Sequence, residues 1–272
     1  MKKKLIFVAA LFCGSTALAG GPEMIVVAPS PFNGFYVGGS GSFHQTGFTI
    51  DSQTNFVVQD VPSGATSTFV LQTTSGGDTQ TDGYYGVRGG WGRVFANRWY
   101  AGIEGFGEFG TAKGNVTTTY FPDTPFAIVQ DNDAQVDDDW GVAARLGILL
   151  SPTTLGYAKL GAEWAKVKSS IEQTAMDGTT VLVNQSTSNT ESGFLWGFGV
   201  EQFVFKDIVS LFAEYTYTSL GGVTDTSVVN LNDDHDHYHP EHLFSLTFSN
   251  NSTPEISALT GGLNVHFGQN WL

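Results

Sequence analysis

The sequence predicts an all-β chain: an eight-stranded antiparallel up-and-down transmembrane β-barrel with short turns at one end and long loops at the other. Three observations carry this reading. Apolar and charged residues alternate with a period of two, which is the period of a strand. The connections between alternating runs are by turns short and long, as a barrel needs when one rim faces the periplasm and the other the outside. All six tryptophans lie within or beside those runs, at two levels along the barrel axis.

The stretch from Asp82 to Phe109 shows the pattern best. Tyr85, Val87, Gly89 and Trp91 share one face, with Tyr84, Gly86, Arg88 and Gly90 opposite. After a tight turn near Ala96 and Asn97, Trp99, Ala101, Ile103 and Phe109 share a face, and Glu104, Phe106 and Glu108 lie behind them. A soluble sheet buries its apolar face and wets the charged one. A membrane barrel turns the apolar face to lipid and encloses the charges.

The other strands follow in order. The first runs from about Phe35 to Phe43, with Phe35, Val37 and Phe43 outward and Tyr36, Ser42 and His44 inward. The hairpin above supplies the second and third. The fourth, Trp140 to Leu150, sends Val142, Leu146 and Leu150 out and Arg145 in. After the turn Ser151-Pro152-Thr153-Thr154, the fifth places Leu160 and Trp164 outward with Lys159 and Glu163 inward. The sixth has Phe194, Trp196 and Phe198 outward and Glu201 inward; a short turn at Lys206-Asp207 leads to the seventh, with Leu211, Tyr215 and Tyr217 outward and Phe212 and Glu214 inward. The eighth shows Leu259, Leu263, Val265 and Phe267 outward, with Thr260, Asn264 and His266 inward. The connections 47–81, 111–137, 169–190 and 221–254 are polar and are expected to be the four long loops.

The N-terminus has the marks of export. Lys2, Lys3 and Lys4 precede an apolar run from Leu5 to Phe12, and Ala17-Leu18-Ala19 is a small-residue cleavage site. Residues 1–19 are expected to be a signal peptide, 20–32 a periplasmic leader and 33–272 the barrel domain. The apolar run is too short to span a bilayer as a helix. Cys13 is the only cysteine, so a mature exported chain would have no disulfide, and a closed hydrogen-bonded barrel would supply the stability instead. Without the three signal lysines, 9 of the 12 Lys+Arg remain against 26 Asp+Glu, a net charge of −17. Such a chain is a poor nucleic-acid binder. Its 34 glycines are about 12% of residues against a usual 7%, which suits a crowded lumen.

The signal peptide, the opening Asn33-Gly34-Phe35-Tyr36-Val37-Gly38-Gly39, the eight alternating strands and the aromatic last strand resemble the small outer-membrane β-barrels, the opacity-type proteins and the membrane domain of the OmpA group. The resemblance implies a Gram-negative outer-membrane location, contact with outer-membrane lipid and lipopolysaccharide, and insertion by the outer-membrane assembly machinery. It implies a monomer with a structural or adhesin-like role. The chain departs from the full-length OmpA type in stopping after the eighth strand, and from the usual terminal aromatic in following Phe267 with Gly-Gln-Asn-Trp-Leu.

Four sets of residues are candidates for chemistry. Arg88, Glu104, Glu108, Arg145, Lys159, Glu163, Glu201 and Glu214 are expected to meet in the lumen; an interior of this width is filled by side chains, so they read as a salt-bridged plug. A narrow porin-like pore for ions or small solutes is the alternative. Trp91, Trp99 and Trp271 at the turn end, and Trp140, Trp164 and Trp196 at the loop end, are expected to form two aromatic girdles. His235, His237, His239 and His242 lie within eight residues and offer weak surface binding of a divalent transition metal; no other cofactor is expected. Ser42 and His44 share a face, and Glu104 or Glu108 could complete a lipid-hydrolase triad, but nothing fixes their geometry and no enzyme is expected. The acidic, Ser/Thr-rich loops are expected to carry whatever host-surface or cation-bridged contact the barrel makes.

Overall fold

The computed structural model describes residues 30–60, 62–120, 128–175, 181–230 and 242–267. Nearly all of them lie in ten antiparallel strands: β1 (Gly34–Asp60), β2 (Thr66–Phe95), β3 (Trp99–Phe109), β4 (Ala112–Tyr120), β5 (Ile128–Ser151), β6 (Thr154–Ala175), β7 (Val181–Phe205), β8 (Val209–Leu220), β9 (Val223–Asn230) and β10 (His242–Phe267). Eight of them, β1-β2-β3-β5-β6-β7-β8-β10, pair in sequence order, and β10 returns to β1 from Phe35↔Phe267 to Asp60↔His242. The barrel is closed. β4 and β9 continue β3 and β8 after breaks at Gly110-Thr111 and Gly221-Gly222, so the ring is the eight-stranded one that the sequence predicts.

Two of the short turns have the backbone a two-residue hairpin demands. Ala96 and Asn97 have φ of 48° and 56°, Lys206 and Asp207 have 45° and 56°, and the flanking bonds Arg98 N–H to Phe95 O and Ile208 N–H to Phe205 O close them. Positive φ at both central positions is the type I′ turn, whose twist matches that of the strands it joins.

The long connections differ from expectation. β1 continues to Asp60 and β2 begins at Thr66, so most of 47–81 is strand; the same holds for the described parts of the other three. The Ser, Thr and Val in these stretches are compatible with strand and keep the two-residue alternation, although their polarity reads as loop. A membrane span takes about 9–11 residues of a strand, so of the 27 in β1 about 16 stand beyond it, on the order of 50 Å along the strand.

The ring changes character on the way out. Past Gly110 and Gly221 no ladder joins β2 to β4 or β7 to β9 among the described residues. The cylinder therefore parts into two four-stranded sheets, β4-β5-β6-β7 and β9-β10-β1-β2. The β2–β4 seam is held by side chains, as where Asn115 N–H donates to the Asp78 carboxylate at 3.3 Å. Between the sheets lies an apolar core of Phe48, Ile50, Ala112, Ala134, Val136, Ala165, Val167, Leu220, Val223 and Ile256. Further out the interior turns polar again: Gln173 donates to Gln130 at 3.0 Å and Ser52 to Asn250 at 3.1 Å.

Lower down the polarity is the membrane one. Outward Val87 is 59% exposed, Ile103 66% and Leu259 61%, while inward Arg145 is fully buried. The periplasmic mouth is closed by Phe32, Tyr100, Leu155, Tyr157 and Phe203, with Phe32 and Phe203 edge to face at 4.7 Å. Phe32 ends the expected leader, and its neighbour Asn33 accepts the Val94 N–H at 2.6 Å, tying this segment to the mouth.

Candidate functional site: the closed polar lumen

The inward residues of the membrane-spanning strands gather into two clusters. The first, nearer the periplasm, brings together six of the eight residues expected in the lumen. Glu104 on β3 is its centre, with Lys159 Nζ at 2.8 Å, Arg145 at 3.4 Å and Arg88 at 3.5 Å. Arg88 makes a two-pronged contact with Glu214 at 2.7 and 3.2 Å, and Lys159 reaches the same carboxylate at 3.3 Å. Arg145 holds Glu201 at 2.6 Å. Three cations face three carboxylates, so the cluster is neutral.

Hydroxyls, an amide and an imidazole add further contacts to these carboxylates, while Arg88 Nε, Arg145 Nε and Asn264 Oδ1 are buried without a hydrogen-bond partner. The Tyr36 hydroxyl donates to Glu104 at 2.7 Å and accepts from Arg145 at 2.7 Å; the Tyr157 hydroxyl donates to Glu214 at 2.9 Å. Glu201 also accepts from Ser210 at 2.6 Å and Asn264 at 3.0 Å, with His266 Nε2 at 2.7 Å. The guanidinium of Arg145 sits 3.8 Å over the Tyr157 ring, and that of Arg88 lies 3.8 Å over Phe212. Glycines make room for the tyrosines: a Cβ at Gly90 would come within 2.5 Å of the Tyr36 hydroxyl oxygen, and one at Gly92 would collide with that of Tyr100.

The second cluster lies one layer outward and holds the other two expected residues, Glu108 and Glu163. His44 Nε2 is 2.7 Å from Glu108, whose other oxygen accepts the Ser42 hydroxyl at 3.3 Å. Glu163 accepts from Thr218 at 2.8 Å. Asp139 on β5 completes the group, 3.9 Å from His44 Nδ1. Tyr84 lies flat against the His44 ring at 3.9 Å. His44, Glu108 and Glu163, together with Arg88, Lys159 and Glu214 of the first cluster, line a cavity of only about 10 Å³, the size of a single water. The lumen is packed.

Asp139 was not among the expected lumen residues, because the third connection was expected to run to Asp137 and the fourth strand to begin at Trp140. The signal was present: Trp140 faces lipid, so the residue before it must face in. Tyr36, Ser210, Asn264 and His266 also lie on the inward face, but a neutral residue announces no ion-pair role in sequence.

Ser42, His44 and Glu108 do come together, yet not as a relay. The Ser42 hydroxyl donates to Glu108 instead of to the imidazole, so His44 does not stand between hydroxyl and carboxylate as a triad has it, and Glu104 belongs to the other cluster. Five of the six tryptophans are described. Trp140 and Trp164 are register partners and stack at 4.5 Å beside the Asp139 level; Trp196 lies 5.8 Å from Tyr217 at the same end; Trp91 and Trp99 flank the Ala96-Asn97 turn and are 40% and 62% exposed. Trp271 lies outside the described residues, as do His235, His237, His239 and the His242 side chain.

Among solved structures, the chain is similar to Ail, the attachment invasion locus protein of Yersinia pestis, at 14% identity and a TM-score of 0.29, covering 82% of this chain and 99% of that one. It is also similar to the outer membrane protein OprG from Pseudomonas aeruginosa, at 11% identity and a TM-score of 0.36, covering 86% and 97%. An uncharacterised protein of Coxiella burnetii is 29% identical over 244 residues, 86% of this chain and 87% of the relative. The model of the outer membrane protein beta-barrel domain matches residues 5–267, and the chain belongs to that family.

Proposed function

We propose that this outer-membrane barrel is a non-conducting surface protein whose protruding sheets carry recognition of an external partner, in the manner of an adhesin. One observation supports the reading above others: charged and polar side chains fill the lumen and apolar layers lie on both sides of it, which favours surface recognition by the outer sheets over transport. That surface is acidic and hydroxyl-rich, with Phe69, Val70 and Leu71 exposed near the tip of β2. Acidic sheets suit a basic partner or a cation-bridged lipopolysaccharide, and exposed apolar tips add contact area.

The test has two arms. Refolded protein in a planar bilayer is expected to give no unit conductance steps at neutral pH; reproducible steps would make the channel reading the better one. Shortening the β1–β2 ribbon by removing residues 54–72 is expected to leave the barrel folded and to abolish attachment of expressing cells to host cells. Unchanged attachment would remove the recognition role from this ribbon.

A further inference from the structure

The two lumen clusters are not equivalent in charge. The inner one is neutral, whereas the outer one sets three carboxylates, Glu108, Asp139 and Glu163, around a single imidazole, His44. All four are buried, from 2% to 8% exposed. Glu108 and Glu163 have hydrogen-bond donors; Asp139 has none. Both of its carboxylate oxygens and the facing His44 Nδ1 are buried without a partner. An uncompensated buried carboxylate is costly, and an orphaned imidazole nitrogen beside it says that something is shared between them.

The geometry identifies what fits. The gap between His44 Nδ1 and Asp139 is 3.9 Å, too long for a hydrogen bond. A cation about 2.0–2.2 Å from each atom would bridge it. Ligand atoms of His44, Glu108 and Asp139 all lie within 4.8 Å of one another. On the far side of the ring, an Nε2–H donated to Glu108 leaves the lone pair on Nδ1, the arrangement by which a carboxylate orients a metal-bound histidine. Tyr84 stacked on the imidazole limits its rotation. The neighbouring cavity of about 10 Å³ is lined by His44, Glu108 and Glu163 but not by Asp139, so it lies beside the His44–Asp139 gap and not in it.

We propose that His44 and Asp139, oriented or joined by Glu108 and with Glu163 on the cavity wall, form a buried site for one divalent first-row metal ion of the Zn²⁺ class. One imidazole with carboxylates is a donor set that such ions accept. His44 is the one basic side chain of this cluster against three carboxyl groups, so a bound dication would offset charge there. The apolar layer of Phe48, Val136, Val167 and Ile256 closes over the site from outside, so the ion enters as the barrel folds and stays.

The test is to refold the full chain in detergent with Zn²⁺, desalt it and measure bound zinc, with heat-modifiable gel mobility confirming the fold. One equivalent per chain is expected. Asp139→Asn and His44→Gln should each lower retention about tenfold or more, while replacing His235, His237, His239 and His242 together by Ala should leave it unchanged. If the lumen variants fail to fold, X-ray absorption of zinc in the wild-type chain decides: one imidazole with oxygen neighbours supports the site, and several imidazoles overturn it. No zinc retained by wild type above the Asp139→Asn level, or zinc lost with the loop histidines, also overturns it.

Discussion

The membrane-spanning half of this barrel and its outer half are made by the same strands with opposite interiors. On β1, the inward residues Ser42, His44 and Thr46 are followed on the same face by Phe48 and Ile50. On β6, Lys159 and Glu163 give way to Ala165 and Val167. The outward face makes the reverse change, from Phe43 to Thr49. Hydrocarbon outside selects a polar lumen of ion pairs and hydrogen bonds; water outside selects an apolar core, as in a soluble sandwich. The inner half is held by ion pairs and the outer half by packing. The alternation persists across the boundary, and only the chemistry assigned to each face is exchanged.

The largest expected effect tests the inner half. Arg145→Leu leaves Glu104 and Glu201 short of a cation and should cost about 3–5 kcal/mol, read as urea unfolding of the detergent-folded protein. A loss no larger than that of a surface substitution would show that the ion pairs do not hold this half. The matching change in the outer half is Ile50→Ala, expected to cost about 2–5 kcal/mol by leaving a cavity between the sheets. Hydrogen exchange should localise that loss to residues beyond Gly47; loss spread evenly along β1 would mean the halves do not differ in what holds them.

The boundary itself is tested on the outward face. Leu146→Arg places a charge in lipid and should cost about 2–4 kcal/mol, whereas Thr49→Arg, outward on β1 above the boundary, should stay within about 0.5 kcal/mol. Equal costs would move the boundary. At the periplasmic rim, Ala96 holds φ at 48°, so Ala96→Gly should stabilise by about 0.4–1 kcal/mol in the same unfolding assay.

The smallest effect is electrostatic and lies just above the outer girdle. Burial raises the Asp137 carboxyl, but Lys168 at 2.6 Å, with donors from Gln135 and Thr111, outweighs it and lowers the pKa below the usual value. A depressed carboxylate contributes stability above its unfolded pKa of about 3.9 and loses it as pH falls toward the folded value. Lys168 is 37% exposed, so the pair should be worth roughly 0.5 kcal/mol or less. Lys168→Met should therefore be slightly destabilised at pH 7 and match wild type near pH 2; an equal deficit at both pH values would contradict a charge effect.

Much of this was legible in residues. The strands announce themselves because Val87, Ile103 and Leu146 alternate with Arg88, Glu104 and Arg145, and the two levels of tryptophan with alternating short and long connections turn the apolar face to lipid. The eight lumen charges were readable from parity alone. Their division into a neutral and an acidic cluster was not, because height in a barrel depends on register between distant strands, as when β5 bulges between Val136 and Asp139. The outer sheets were misread as loops for a related reason. Their apolar residues are few, Phe48 and Ile50 on one strand and Val136 on another, and they form a core only when two sheets face each other. Period two was visible in them, but Ser and Thr on the other positions lowered the contrast.

Cysteine scanning along β1 tests the reversal most directly, since Cys13 is the chain's only cysteine. Single cysteines at 37, 42, 43, 48, 49 and 50 would be spin-labelled in a lipid bilayer and probed with oxygen, which favours lipid, and a water-soluble nickel complex. Positions 37 and 43 should be open to oxygen, 49 to nickel, and 42, 48 and 50 to neither. Nickel reaching 48 and 50 as readily as 49 would mean that the outer half has no core and that the strands end at the membrane.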